Sequence, residues 1–274
     1  MMLYVSLEDS EPFGQRQALI AAAQAGDADA QATLGDVLRV GDEFTDQDFE
    51  EAIRWYRRAA DQGHAGALNN LGAMYAHGWG VPQDAAKAAT WYREAAELGL
   101  VTAQANLGFS FLHGDGVQRD EREAVRWLFK AAEQGHPQAT GELATMFRFG
   151  NGVERNIVTA ARLYVKAGTA GDGVSTGNLM EYRDEIEKEA LKGSLRAALV
   201  LATMYEDGHG VERNTAIAYA WLLVGRRFGS RDDDQPVRDE LYDRDLALYT
   251  ELSSDLKAEA YRWVAIMCAS RDEP

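Results

Sequence analysis

The stretch GHAGALNNLGAMYAHGWGVPQDAAKAATWYREAAELG, residues 63–99, decides the fold because it recurs. Trp55, Trp91 and Trp127 stand 36 residues apart, and Leu71-Gly72 returns as Leu107-Gly108 and then as Leu143-Ala144. GWGV, GDGV and GNGV, at Gly78, Gly114 and Gly150, keep the same period. A period of this size marks stacked helical units in which each buries its apolar face on the next, rather than one globular core. Such arrays hold other macromolecules more often than they catalyse.

Within the unit, Ala67, Leu71 and Tyr75 lie four apart, on one stripe of a first helix. Ala88, Trp91, Tyr92, Ala95 and Ala96 form the stripe of a second. Gly78 and Gly80 separate the two, and Gly99 ends the second. Glycine suits the left-handed or tight backbone needed there. Asp84 stands seven residues before Trp91, and Asp48, Asp120, Asn156 and Asn214 hold the matching place. All five suit a helix N-cap, so they are architecture and not a carboxylate cluster. Gly72, Gly108, Ala144 and Ala202 sit mid-helix, where small residues predict close approach of a neighbouring helix.

The expected fold is all-α, a single solenoid over 1–274 of about five 36-residue helix pairs with capping helices at both ends. Residues 15–27 hold an N-terminal cap helix, and 28–168 hold repeats one to four. The linker GDEFTDQD carries one extra residue before Trp55. The step from Leu143 to Leu201 is 58, so 22 residues are inserted between units four and five. Residues 169–192 are read as that insertion, a loop followed by a helix around 179–191, and 193–227 as repeat five. After the polar linker RRFGSRDDDQP, residues 236–270 are read as two capping helices, over 237–250 and 254–269. Their apolar faces are assigned to Leu241, Leu246, Leu248 and Leu252, then Leu256, Ala260, Trp263 and Met267.

Composition narrows the function. The chain has 274 residues, 46% of them apolar, and a formal charge of −16. That charge disfavours nucleic acid and anionic membranes and accommodates a basic protein partner; solubility alone is the plainer account of it. The one cysteine, Cys268, excludes an intramolecular disulfide. No run approaches 18 apolar residues, so no membrane span is expected. The opening MMLYVSLEDSEPFGQRQ does not read as an export signal. The expectation is therefore cytoplasmic, with the periplasm as the alternative if a signal peptide has been removed. Partner identity and oligomeric state stay open.

These motifs resemble the Sel-one-like repeat family, relatives of the tetratricopeptide repeats. Ala67, Leu71-Gly72, Tyr75, Gly78, Gly80-Val81, Asp84, Trp91-Tyr92 and Ala95-Ala96 match its pattern. The third unit matches too, with Phe111 and Leu128 as mild departures. The resemblance covers about residues 15–227. It implies a right-handed superhelix and adaptor or scaffold duties, in signalling, envelope assembly, quality control or host interaction. Some bacterial members serve as immunity proteins against toxic effectors.

In such a stack the off-stripe positions of the first helices are left for recognition. Here these include Asn69, Asn70 and His77, then Asn106, Phe109 and His113, then Glu142 and Phe149. If the first helices line a concave side, the positions form one strip. Asparagines suit the backbone of an extended peptide, and Phe109 and Phe149 suit apolar side chains; packing between neighbouring units is the competing role for both rings. No catalytic constellation, cofactor motif or metal-ligand set is found. His64 and His136 share one repeat position and His77 and His113 another, so repetition accounts for them. The GxGV turns lack the lysine and serine of a phosphate loop. The expectation is a non-catalytic protein-binding scaffold. The alternatives are an immunity protein neutralising a bacterial effector, and a cell-envelope hydrolase or enzyme subunit.

Overall fold

The structure, a computed structural model, describes residues 11–41, 46–171, 173–229 and 235–271. The described residues form fourteen α-helices and no strand. Fourteen helices are the equivalent of seven pairs: the five pairs counted from sequence plus four added helices. Backbone contacts divide the chain into two compact units, residues 1–134 and 135–274. No helix among the described residues is long and apolar enough to cross a membrane.

The first unit is the regular one. It contains α1 (Glu11–Gln24), α2 (Ala28–Val40), α3 (Phe49–Ala60), α4 (Ala65–His77), α5 (Ala85–Glu97), α6 (Val101–His113) and α7 (Glu121–Glu133). α2/α3, α4/α5 and α6/α7 are pairs, α1 packs on α2, and α3 and α5 also pack on α4 and α6. Part of the linker with the extra residue, 42–45, lies outside the described residues.

The repeat motifs each do a definable job. Asp48, Asp84 and Asp120 accept from the backbone N–H groups of Glu51, Lys87 and Glu123, at 2.9, 3.0 and 3.1 Å. These bonds occupy amides that would otherwise be left open at the helix start. The cap bond from Lys87 N–H holds the Asp84 carboxyl below its ordinary range. Gly72 explains the mid-helix small residue, because a Cβ there would lie 2.5 Å from the Tyr92 ring of the paired helix. The Tyr92 hydroxyl is pushed up to about 12 by burial. Gly116 explains the second glycine of the turn. Its φ is +72°, and a Cβ would lie 1.9 Å from the Ala85 carbonyl oxygen at the start of α5. Only glycine combines that backbone state with that approach.

The second unit contains α8 (Pro137–Phe149), α9 (Ile157–Thr169), α10 (Gly173–Leu191), α11 (Leu195–Asp207), α12 (Thr215–Phe228), α13 (Gln235–Glu251) and α14 (Ser254–Arg271). α8/α9 and α11/α12 are the fourth and fifth pairs. Asn156 and Asn214 cap α9 and α12 by accepting from Thr159 and Ile217 N–H groups. The inserted helix α10 packs on α9 and α11.

Two expectations are corrected here. α10 begins at Gly173, six residues before the predicted start, in a glycine-rich run read as loop. Ser175, Leu179, Ile186 and Ala190 are buried along one face, so packing of the first turn overrides its poor helix propensity. In the C-terminal pair, Leu241, Leu248, Leu252 and Ala260 are buried, but Leu246 and Leu256 are exposed. At about 100° per residue, Leu246 stands about 140° around α13 from Leu241, off the buried stripe.

α13 and α14 both pack on α12 but scarcely on one another. α13 runs beside α11 in the same direction. Glu240 shares a cleft with Arg196 and Leu199, and four residues on Arg244 donates to Thr203 Oγ1 at 2.8 Å and pairs with Glu206. α13 thus stands on α11 as one first helix stands on the previous one. It is not the start of a sixth regular pair.

Candidate interaction surface

In the first unit the off-stripe positions of α2, α4 and α6 meet side to side. Asn106 Nδ2 donates to Asn69 Oδ1 at 3.0 Å, linking α6 to α4. Asn70 Nδ2 donates to Asp36 Oδ1 at 2.9 Å, linking α4 to α2. Tyr56 OH also donates to Asp36 Oδ1, at 2.7 Å, and Arg39 Nε donates to the Tyr56 oxygen at 3.2 Å. Burial and the Asp36 carboxylate both hold the Tyr56 hydroxyl well above its ordinary range. The result is a polar row across three successive first helices.

The row is half-buried and its hydrogen-bonding capacity is partly used. Among the described residues nothing donates to Asn70 Oδ1 or Asn106 Oδ1, and Asn69 Nδ2 has no acceptor. Those atoms are what the row offers a ligand. Phe109 is half-buried, one helical turn from Asn106, and His113 is exposed at the end of α6. His77, also exposed, stacks on Trp79 at 4.5 Å between ring centroids, and Trp79 stacks in turn on Phe49 at 5.8 Å. His77 and Trp79 thus tie the end of α4 to the start of α3.

In the second unit the matching positions meet different neighbours. Glu142 is half-buried. Phe149 is 56% exposed, with the Arg148 guanidinium 4.3 Å from its ring centre. The same guanidinium lies 3.8 Å from the Tyr182 ring and pairs with Glu181 of α10 at 3.2 Å. On α11, Leu199 and Val200 are buried and Thr203 accepts from Arg244. Added helices therefore engage Arg148 and Thr203 beside these positions, while Phe149 itself stays exposed.

Sequence reasoning missed two features. His64 Nδ1 and His136 Nδ1 accept from the N–H groups of Ala67 and Ala139, at 3.0 and 3.3 Å, as N-caps of α4 and α8. Burial lowers the His136 pKa, which suits a neutral ring nitrogen that must accept. The signal was present: Asp27 and Ser194, both good capping residues, hold the same register and cap α2 and α11. The second is Asp36, whose partners lie 20 and 34 residues away in sequence. Among the described residues no three His, Cys, Asp or Glu side chains group so as to hold a metal ion.

Comparison with known proteins gives the architecture a family. The Sel1 repeat model matches residues 28–64, 65–100, 101–136, 137–172 and 195–223. No curated protein matches the sequence. Among solved structures, a protective antigen present in uropathogenic Escherichia coli strains, displaying an SLR fold, is 28% identical with a TM-score of 0.60. The match covers 94% of this chain, which spans 64% of that protein's length. A Sel1 repeat protein from Oxalobacter formigenes is 27% identical with a TM-score of 0.55, over 82% of this chain and 83% of that one. An immunity protein from Pseudomonas aeruginosa is 22% identical with a TM-score of 0.40, over 90% and 84%; at that distance its role remains its own. Five matched units span more than half of the sequence, and the chain belongs to the Sel1 repeat family.

Proposed function

We propose that the chain is a non-catalytic scaffold that binds a protein partner along the first-helix row of residues 1–134. The observation that carries this reading is the row of Asp36, Asn70, Asn69 and Asn106, whose side chains bond across three helices. That bonding holds the amides in one orientation while leaving donors and acceptors unspent, so little side-chain entropy remains to be lost on binding. Phe109 and His113, on α6, belong to the same proposed surface, and the chain is read as acting in the cytoplasm. The charge of −16 favours a basic partner. Alanine at Asn70, Asn106 and Phe109 is expected to weaken partner binding, each by about 1 kcal/mol or more. Unchanged affinity in all three variants would rule out the row.

The acidic charge also favours a narrower reading, an immunity protein that captures a basic toxic effector. Opposite charge speeds encounter and makes it salt-sensitive. This reading predicts a toxin gene beside this one and association that slows steeply between 50 and 300 mM salt (the Debye length shortens about 2.4-fold over that range, so the slope must come from several charges). Salt-independent association, with no toxin gene adjacent, would remove it.

A further inference from the structure

α13 presents an exposed apolar flank, of which Tyr249 meets Tyr219 and Lys257 at one end. Tyr242, Leu246 and Tyr249, spaced four and three apart, are 53, 64 and 47% exposed. Arg244 faces α11, and Leu246, two residues on, lies about 200° around the helix from it. The flank therefore looks away from α11. In the first unit a next first helix bonds to its predecessor through such off-stripe side chains, as α6 does to α4 through Asn106 and Asn69.

A second observation points to a ligand. Asp245, between the buried stripe and this flank, is only 6% exposed. Arg226 Nη1 donates to its Oδ2 at 2.8 Å, whereas its Oδ1 is buried with no partner. A buried carboxylate oxygen without a donor is costly. Tyr242 and Tyr249 are its exposed neighbours on the helix, and exposed rings turn aside within nanoseconds. One ammonium already lies in this region, with Lys257 Nζ 4.1 Å from the Tyr249 ring centre. Asp239 and Asp243 stand on the Leu246 side of the helix.

We propose that the Tyr242–Leu246–Tyr249 flank docks an amphipathic helix of a basic partner, laid on α13 as a next first helix would be. An apolar stripe of that helix covers Leu246, basic residues face Asp239 and Asp243, and one donor reaches Asp245 Oδ1. A second copy of this chain is the poorer occupant, because it too carries −16 and would oppose acid to acid. The inference rests on the reading of the chain as a protein binder but uses a different surface, so each can fail without the other.

The test uses the full chain and two synthetic amphipathic helical peptides, one of leucine and lysine and one of leucine and glutamate. The lysine peptide is expected to bind saturably, and Leu246→Ser to weaken it about tenfold. Leu98→Ser, at an equally exposed leucine on the first unit, should leave binding unchanged. Asp245→Asn should weaken it several-fold. Alanine at Asn106 and Phe109, which tests the row, should not. Leu246 is exposed, so its variant keeps the fold, as circular dichroism would check. Equal binding by wild type and Leu246→Ser, or equal binding of both peptides, overturns the proposal. Self-association of the chain that Leu246→Ser abolishes also overturns it, in favour of a second copy.

Discussion

The two units use one repeat in different ways. In residues 1–134 the helix pairs follow one another without an inserted helix, and the first helices carry a half-buried polar row. In residues 135–274 the same backbone plan carries three added helices. α10 takes up Arg148 and Arg155 through Glu181 and Glu185, and α13 takes up Thr203 and Glu206 through Arg244. The difference shows that the repeat specifies how helices pack and leaves open what its recognition positions meet. A partner fits where the chain has not already supplied a helix of its own.

That contrast can be broken or sharpened by substitution, beginning with the largest effect. Gly116→Ala places a methyl on the Ala85 carbonyl at a positive φ, and should cost about 3 kcal/mol or more. Hydrogen exchange should show lost protection across α5–α7, with α11–α14 unchanged. Gly72→Val forces the Tyr92 ring aside and should cost about 2–3 kcal/mol. In the second unit Ala144 and Tyr164 hold the matching places and are both fully buried. There a methyl is already accommodated, so Ala144→Gly should cost only about 1 kcal/mol. Equal costs for the two would contradict the reading that the first unit lacks room at this position for the methyl the second unit holds.

Arg244→Ala should loosen α13 by about 1–2 kcal/mol through loss of its bonds to Thr203 and Glu206. Faster exchange in α13 than in α11 would report it. Asp120→Ala and Asn156→Ala, cap removals in opposite units, should each cost about 1 kcal/mol by denaturation.

The smallest effect is a pH dependence. The folded pKa of His136 is lowered by burial from its ordinary 6.5, so below that pH the unfolded chain takes up the proton first. The stability from this cap is complete above pH 6.5 and is lost as pH falls through the folded pKa. His136→Ser, with a serine as at Ser194, should keep the cap and remove this part of the acid sensitivity of melting. An unchanged pH profile would place the titration elsewhere.

Much of the fold is legible in the sequence because the repeat states each constraint several times. The five Asp or Asn caps and the GxG turns are each set by contacts within one unit or with the next. What is not legible depends on contacts of one-off segments. The glycine-rich run at the start of α10 is helical because α10 packs on α9 and α11, with Ser175 and Leu179 buried. Leu246 looks like a core leucine until the register of α13 is known. The places of Asn69, Asn70 and Asn106 on α4 and α6 were legible, but the bonds of Asp36 were not. They join residues from different helices, and no local pattern announces them.

The most direct test of the central claim is photo-crosslinking in the source cells, with a photoreactive phenylalanine analogue placed at Phe109. The same analogue at Phe129, exposed on the second helix α7, is the reference. A protein partner held on the first-helix row predicts one dominant crosslinked protein from position 109 and none from position 129. The same adduct from position 129 alone, or none from either, would contradict it.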